Sequence, residues 1–227
     1  GNNLLKLVNE MLDLSKLESG KMTLQVKNGD FISFLRYNVE SFQSLAATEH
    51  KQFHFLSDSD ELILAFDAEK MRQIITNLFS NALKFTPAHG NVYVSVSQEA
   101  GITQADRKLV LRIKDTGIGI PENQIAHIFD RFYQLDNSQT RKAEGTGIGL
   151  ALTKELVKLM NGTIEAKSPP VGATRGSEFI LHFPIFTIND VDAEPVFIPP
   201  YKVHDRIEIS GENDSPGYQE SNSYDSK

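Results

Sequence analysis

Two carboxamides and one ammonium group share one face of a predicted helix. The segment DAEKMRQIITNLFSNALKFTP begins at Asp67, which suits a helix N-cap, and ends at Pro87, which suits a helix stop. Asn77, Asn81 and Lys84 are spaced at i, i+4 and i+7, so their side chains lie on the same face. An amide oxygen is a hard ligand that suits Mg²⁺, and a lysine ammonium group can reach a phosphate. The face therefore suits a polyphosphate with a metal ion, although a solvated polar stripe is the alternative.

A carboxylate followed by a glycine turn ends a predicted strand. In LVLRIKDTGIGIP, residues 109–121, polar and apolar side chains alternate up to Asp115, which is typical of a strand. Gly117 and Gly119 come next, and glycine allows a tight turn and the close approach of a ligand to the main chain. A carboxylate at the end of a strand can accept a hydrogen bond from an exocyclic amine such as that of adenine.

A second glycine-rich turn precedes another helical pattern. GTGIGL covers residues 145–150, and apolar side chains at helical spacing continue from Leu150 to Met160. A glycine turn that opens a helix presents N–H groups and the positive end of the helix dipole to a phosphate. The turn does not follow a strand and is not followed by Gly-Lys-Ser/Thr, so it fits neither the dinucleotide-binding fingerprint nor the P-loop.

Five motifs occur in a fixed order along the chain: NLFSNALKFTP, DTGIGIP, FDRFYQ, GTGIGLAL and GSEF. They resemble the N box, first glycine box, F box, second glycine box and third glycine box of the sensor histidine kinases, over roughly residues 31–184. The resemblance implies an α/β two-layer sandwich, in which a mixed sheet packs on three helices and one bundle helix precedes the domain. It places ATP between the helices and a lid. The polar segment 133–144 is the candidate lid, and a plain surface loop is the alternative.

The resemblance also implies a role for each site residue. Asn81 would ligate Mg²⁺, Asn77 and Lys84 would hold the phosphates of ATP, and these three residues would form the catalytic set. Asp115 would recognise adenine. The other residues implied to contact ATP are Gly117, Gly119, Ile120, Arg131, Gly145, Thr146, Gly147, Gly149, Leu150 and Ser177.

Position 77 bears on the choice between phosphoryl transfer and ATP hydrolysis. Gyrase-type topoisomerases, mismatch-repair ATPases and the large heat-shock chaperones share the ATP fold and use a glutamate four residues before the metal-binding Asn to polarise water. Asn77 carries an amide at that position, which cannot act as a general base. We therefore interpret the site as a phosphoryl donor to an incoming imidazole. The alternative is a non-catalytic nucleotide-sensing or dimerisation module. Such a module would not need the motif residues, but all of them are present.

The first 20 residues predict one helix with a broad apolar stripe from Leu4 to Leu17, which ends near Gly20. They resemble the second helix of the dimerisation and phosphoacceptor hairpin of these kinases. The first hairpin helix, which carries the phosphorylated histidine, is missing by this resemblance. The expected partners are therefore a second copy joined through the hairpin, the phosphoacceptor helix and a response-regulator receiver domain. The histidines, none of which has the required sequence context, are His50, His54, His89, His127, His182 and His204.

Composition sets the limits of the remaining expectations. The 227 residues carry a net charge of −7, which argues against nucleic-acid binding, and they include no cysteine. No apolar run approaches the roughly 20 residues of a membrane span, so we expect no membrane contact by this chain. The resemblance implies a place in the cytoplasmic part of a membrane-anchored bacterial sensor. Three segments are expected: a hairpin helix at 1–20, the ATP-binding domain at 21–186, and a mostly disordered tail at 187–227. Nine acidic and three basic residues from Asp190 onward give that tail a net charge of −6.

The other elements follow from apolar periodicity and turn residues. Residues 31–50 and 121–132 are predicted to be helical. Strands are predicted at 22–26, 52–56, 62–64, 92–96, 163–166 and 178–183.

Overall fold

The computed structural model describes residues 2–101, 107–134 and 146–186. Its helices are α1 (Asn2–Glu18), α2 (Phe31–Glu40), α3 (Gln43–Thr48), α4 (Ala68–Phe85), α5 (Glu122–Ile125) and α6 (Gly149–Leu159). Its strands are β1 (Lys27–Asp30), β2 (Gln52–Ser57), β3 (Ile63–Phe66), β4 (Asn91–Glu99), β5 (Lys108–Asp115), β6 (Thr163–Lys167) and β7 (Glu178–Pro184). The predicted tail and most of the candidate lid lie outside the described residues.

Five strands form the main sheet in the order β2-β4-β5-β7-β6. Strand β2 runs parallel to β4, whereas the other neighbouring pairs are antiparallel, so the sheet is mixed. Side chains alternate along β4, where Val92, Val94 and Val96 are buried and the residues between them are half-buried. Strands β1 and β3 pair separately as a two-stranded antiparallel sheet.

Helices α2, α4 and α6 form the second layer, with α4 in contact with both of its neighbours and with β5. The apolar positions of α4 recur at helical spacing, and Ile74 and Leu78 are fully buried as a result. Burying a side chain of this size stabilises the fold by about 1.5–3 kcal/mol. The Asp67 carboxylate caps the start of α4 by accepting hydrogen bonds from the N–H groups of Glu69 and Lys70, both at 3.0 Å. The α/β sandwich of a mixed sheet and three helices is confirmed.

Helix α1 ends as its sequence predicts. Gly20 adopts φ +65°, and its N–H donates to the carbonyl of Leu17 at 3.0 Å. The N–H of Lys21 donates to the carbonyl of Lys16 at the same distance, which completes the Schellman arrangement that a glycine after a helix favours. The chain therefore leaves α1 in a defined direction.

The apolar stripe of α1 divides into a covered side and an uncovered side. Leu14 is buried and belongs to the core, and α1 contacts α6. Leu4, Leu5 and Leu12 are each more than half exposed. In the part of the chain that the structure describes, no helix combines the length and the apolar character that crossing a membrane requires.

The strand predicted at residues 22–26 is wrong. Those residues form no strand, and pairing with β3 begins only at Lys27. The N–H of Gln25 donates instead to the Asp67 carboxylate at 2.7 Å. The apolar side chains Leu24 and Val26 are nevertheless buried, so their alternation reports burial without strand pairing.

Two helix predictions are correct in type but too long. The helix predicted at 31–50 is divided into α2 and α3 by a turn at Ser41 and Phe42, where the Ser41 hydroxyl donates to the carbonyl of Asn38 at 2.6 Å. Such a local side-chain bond competes with helix continuation. The helix predicted at 121–132 is limited to α5, and the turns that follow end at Phe132 with φ +62°.

Candidate functional site

The Asn77 side chain is held between two points of α6. Its Nδ2 donates to the Thr153 hydroxyl at 2.8 Å. Its Oδ1 lies against Gly149, where an added Cβ would come within 2.4 Å of that oxygen. Only glycine leaves room for the Asn77 amide at the start of α6. The polar face of α4 is therefore joined directly to the turn that opens α6.

The last turn of α4 borders the glycine turn after Asp115. The Ile118 N–H donates to the carbonyl of Phe85 at 3.2 Å, and a Cβ on Gly117 would lie 2.4 Å from the same oxygen. The Lys84 Nζ lies 5.0 Å from the centre of the Phe85 ring, within the range of a cation–π contact. Asn81 is half-buried one turn earlier on α4. The last turn of α4, which carries Lys84, thus lies against the first glycine turn.

Asp115 is 3% exposed and is the centre of a hydrogen-bond network at the ends of β5 and β7. Its Oδ1 accepts from the N–H of Gly117 at 2.7 Å and from the N–H of Ser177 at 3.3 Å. Its Oδ2 accepts from the Ser177 hydroxyl at 2.5 Å. The network holds the carboxylate in one orientation, since three donors from two loops converge on it.

Burial raises the pKa of Asp115 above the usual range of an aspartate. The hydrogen bonds from Ser177 and Gly117 act in the opposite direction, because they favour the ionised carboxylate, but burial outweighs them. A carboxylate with a perturbed pKa at the end of a strand is a common feature of functional sites.

Ser168 joins the first glycine turn to the third. Its hydroxyl accepts from the N–H of Ile120 at 2.7 Å and donates to the carbonyl of Gly176 at 2.8 Å. Gly176 adopts φ +96°, and a Cβ there would lie 2.0 Å from the carbonyl oxygen of Asp115. A side chain at that position would push the two loops apart, so glycine is required for their contact.

The turn that opens α6 is held from two directions. The Thr146 hydroxyl accepts from the N–H of Ile148 at 3.3 Å and donates to the Glu10 carboxylate at 2.7 Å. Gly147 adopts φ +69°, and its carbonyl accepts from the N–H of Phe132 at 2.9 Å. One of these contacts comes from α1 and the other from the segment after α5.

The sequence-predicted residues are distributed as follows. The amide of Asn77 meets the second glycine turn, and Asp115 meets Gly117 and Ser177. Arg131 forms an ion pair with Glu18 at the end of α1, so the structure places it against that helix, and its contact with ATP stays a prediction. Leu150 is half-buried in the first turn of α6. Gly145 and residues 135–144 of the candidate lid lie outside the described residues.

Three residues of the site were missed by sequence reasoning. Thr153 lies four residues after Gly149 in a helical pattern, so the i, i+4 rule applied to the second glycine turn would have found it. Ser168 and Glu10 lie far from their partners in sequence, and no local pattern indicates them.

Among the described residues, no cluster of three or more His, Asp or Glu side chains could hold a metal ion.

Residues 66–187 match the model of a protein family described as histidine kinase-, DNA gyrase B-, and HSP90-like ATPase. That range begins at the end of β3 and continues beyond β7, so it includes α4, all three glycine turns and the central strands.

Three curated relatives are histidine kinases. The chain is 38% identical over 182 residues to hybrid signal transduction histidine kinase D of Dictyostelium discoideum, and the aligned region covers 80% of this chain and 12% of that protein. It is 38% identical over 198 residues to the circadian input-output histidine kinase CikA of Synechococcus elongatus, with coverage of 86% and 25%. It is 34% identical over 165 residues to the sensor histidine kinase WalK of Bacillus subtilis, with coverage of 73% and 26%. The chain therefore spans about a quarter or less of the length of these relatives.

Two solved structures have a similar fold. Full-length ShkA in complex with AMPPNP gives a TM-score of 0.69 at 28% identity, and the match covers 82% of this chain and 37% of that one. Histidine kinase ThkA in complex with the response regulator protein TrrA gives a TM-score of 0.63 at 21% identity, with coverage of 82% and 48%. The second likeness concerns the fold alone. Together with the relatives, these matches confirm the resemblance on which the sequence analysis rested.

Proposed function

The chain belongs to the histidine kinase-, DNA gyrase B-, and HSP90-like ATPase family, as the ATP-binding catalytic domain of a sensor histidine kinase, and we propose that it donates the γ-phosphate of ATP to a histidine. The acceptor would lie on a dimerisation helix that this chain does not include. The reaction would be one step of a two-component phosphorelay.

One observation carries the proposal: the contacts of Asn77. Its amide nitrogen is engaged by Thr153 and its amide oxygen lies at the start of α6. An amide held in this way can orient a phosphate group but cannot take a proton from water. Catalysis at such a site would consist of positioning and of neutralising phosphate charge, which is what transfer to an imidazole requires.

The adenine side is assigned to Asp115. An ionised carboxylate accepts hydrogen bonds only, and the exocyclic amine of adenine is a donor. Guanine presents a carbonyl oxygen at that place, so the same carboxylate would discriminate against GTP. Gly117 and Gly119 would shape the base pocket, because a Cβ on Gly117 would contact the end of α4 and a Cβ on Gly119 would contact the neighbouring loops.

The metal is assigned to Asn81. Mg²⁺ commonly keeps several waters and binds through one or two protein oxygens together with the phosphates of its substrate. The described residues fit that mode, since they offer a half-buried amide on the phosphate side and no cluster of carboxylates. Lys84 lies on the same face, one turn further along α4, and would hold a phosphate. Mg²⁺ would supply charge neutralisation on the phosphates.

The proposed partners follow from α1 and from the relatives. Leu4, Leu5 and Leu12 leave an exposed apolar face on a helix that resembles half of a dimerisation hairpin. We assign this face to the other hairpin helix and, through a four-helix bundle, to a second copy of the protein. A response-regulator receiver domain would take the phosphate from the acceptor histidine, as the pairing of ThkA with TrrA suggests.

The test uses a chain extended before Gly1 so that it carries the proposed acceptor helix. With γ-labelled ATP and Mg²⁺, this chain should incorporate acid-labile phosphate. Asn81→Ala should reduce the rate of labelling by at least about 100-fold, because the phosphate charge would lose its metal. Asn123→Ala, the same change at an exposed position on α5, is the matched control and should label normally.

Three outcomes would contradict the proposal in different ways. Normal labelling of Asn81→Ala would remove that residue from the metal site. Nucleotide binding without any labelling of the unaltered longer chain would favour the non-catalytic nucleotide-sensing module. Acid-stable labelling would place the phosphate on a residue other than histidine.

A further inference from the structure

Helix α1 contacts the ATP-binding domain through carboxylates. Glu10 accepts from Thr146, Asp13 accepts from the Gln73 amide at 3.1 Å, and Glu18 forms the ion pair with Arg131. Of the three, only Glu10 is buried, with 8% of its surface exposed. A buried carboxylate requires hydrogen-bond partners, and one of the partners of Glu10 is the hydroxyl group of the second glycine turn.

The glycine turn that receives Glu10 is suited to an anion. Thr146, Gly147 and Ile148 lead into α6, whose first residue is Gly149, and the dipole of this 11-residue helix is positive at that end. The polar face of α4 meets the same turn through Asn77. We assign this turn to the phosphates of ATP, as its resemblance to the second glycine box implies. In the structure, the anionic group that contacts it is the Glu10 carboxylate.

We propose that Glu10 is an autoinhibitory side chain, which occupies the Thr146 hydroxyl with a carboxylate and so opposes the binding of ATP phosphates while α1 is docked. The inference rests on the proposed function, because it takes the turn at 146–149 to be the phosphate site. A bound triphosphate would have to share this turn with a like charge or displace it. Either outcome weakens ATP binding.

The proposal gives α1 a regulatory role. Because Glu10 is part of α1, a rotation or a shift of that helix withdraws the carboxylate from Thr146. Movement of the dimerisation hairpin would then change the affinity for the ATP phosphates through the single side chain of Glu10. The adenine side would be unaffected, since Asp115 and Ser177 make their contacts within the sheet and its loops.

The test compares nucleotides that differ only in phosphate number. Affinities for adenosine, ADP and ATP are measured by calorimetry at low ionic strength for this chain and for Glu10→Gln, which keeps the size of the side chain. ATP affinity should rise about five- to tenfold in the variant, ADP affinity should rise less, and adenosine affinity should stay within about twofold. Adenosine binding also serves as the check that the variant is folded.

Asp13→Asn is the matched control, because it removes the same charge from α1 at a residue that contacts α4 instead of the glycine turn. Its ATP affinity should rise by less than that of Glu10→Gln. An unchanged or lowered ATP affinity in Glu10→Gln, with normal adenosine binding, would overturn the autoinhibitory role alone. An equal rise in the two variants would overturn it as well, since general charge repulsion would explain both. Failure of both the unaltered chain and Glu10→Gln to bind ATP more tightly than adenosine would overturn the proposed phosphate site itself.

Discussion

The proposed adenine side and the proposed phosphate side of the site are built in different ways. On the adenine side, Asp115 and Ser177 lie at the ends of two paired strands, and their hydrogen bonds close within the sheet and its loops. On the phosphate side, Asn77 comes from α4, Thr153 from α6 and Glu10 from α1, and the contacts cross between helices. A strand ladder holds its register as a unit, whereas helices can shift relative to one another.

This difference indicates which half of the site can be regulated. The described hydrogen bonds of Asp115 do not involve α1, so we expect the proposed base pocket to form whether or not α1 is docked. The turn before α6 has a contact with α1 and responds to the position of α1. Recognition of the nucleotide and control of its phosphates are thus assigned to separate parts of one domain.

The largest expected effect comes from the adenine side. Asp115→Ala removes the acceptor for the base and leaves the Ser177 hydroxyl and two N–H groups without their partner. We expect ATP and adenosine affinity to fall equally, on the order of 100-fold. In a buried site, loss of one hydrogen-bonding group leaves the polar groups that it served without a partner, which is costly. Calorimetry with both ligands measures the effect, and circular dichroism checks the fold. Asp130→Ala, at an exposed aspartate, is the control. Unchanged affinity in Asp115→Ala would remove the residue from the base pocket.

A smaller and selective effect is expected on the phosphate side. Gly149→Ala places a methyl group within 2.4 Å of the Asn77 oxygen and should displace that amide from Thr153. ATP affinity should fall about tenfold, the equivalent of 1.4 kcal/mol, while adenosine affinity stays unchanged.

Gly172→Ala is the control for the glycine substitution. Gly172 adopts φ +76° with nothing within 4 Å of an added Cβ, so the change should cost roughly 1–2 kcal/mol of stability without altering affinity. Equal losses of ATP and adenosine affinity in Gly149→Ala would show that the two sides are not independent.

The smallest effect is a dependence on pH. Burial raises the pKa of Asp115, and adenine binding requires the ionised carboxylate, so ATP affinity should fall as the pH is lowered from neutrality through the raised pKa. Stability changes in the opposite sense: the folded state binds this proton more readily, so the contribution of the carboxyl to stability is present at low pH and lost as the pH rises through the raised pKa. Asp115→Asn should flatten both profiles. A wild-type profile that matches that of Asp115→Asn would contradict the assignment.

Much of the site could be predicted from the sequence because its parts are local. The i, i+4, i+7 spacing of Asn77, Asn81 and Lys84 and the caps of α4 depend on residues within one helix. Asp115 and its glycine turn form one short segment. Apolar alternation also identifies the core strands, since half of each strand faces the helices.

The rest depends on contacts that no local pattern encodes. Residues 22–26 alternate like a strand, but the Asp67 carboxylate, which is about 40 residues away, takes the N–H that pairing would use. Ser168 joins two turns whose separation is set by the β5–β7 pairing. The contact of Glu10 with Thr146 exists only because α1 docks on α6. The docking geometry of two amphipathic helices depends on the side chains of both, so neither helix sequence alone predicts it.

We propose that this chain carries the phosphoryl donor site and that none of its own histidines serves as the acceptor. The most direct measurement incubates this chain alone with γ-labelled ATP and Mg²⁺ and follows the label in three forms: bound nucleotide, acid-labile phosphate on the protein, and free phosphate. The account predicts that nucleotide binds, that the protein gains no acid-labile phosphate, and that free phosphate appears slowly because Asn77 cannot activate water. Robust acid-labile labelling of the chain, or rapid release of phosphate, would contradict it.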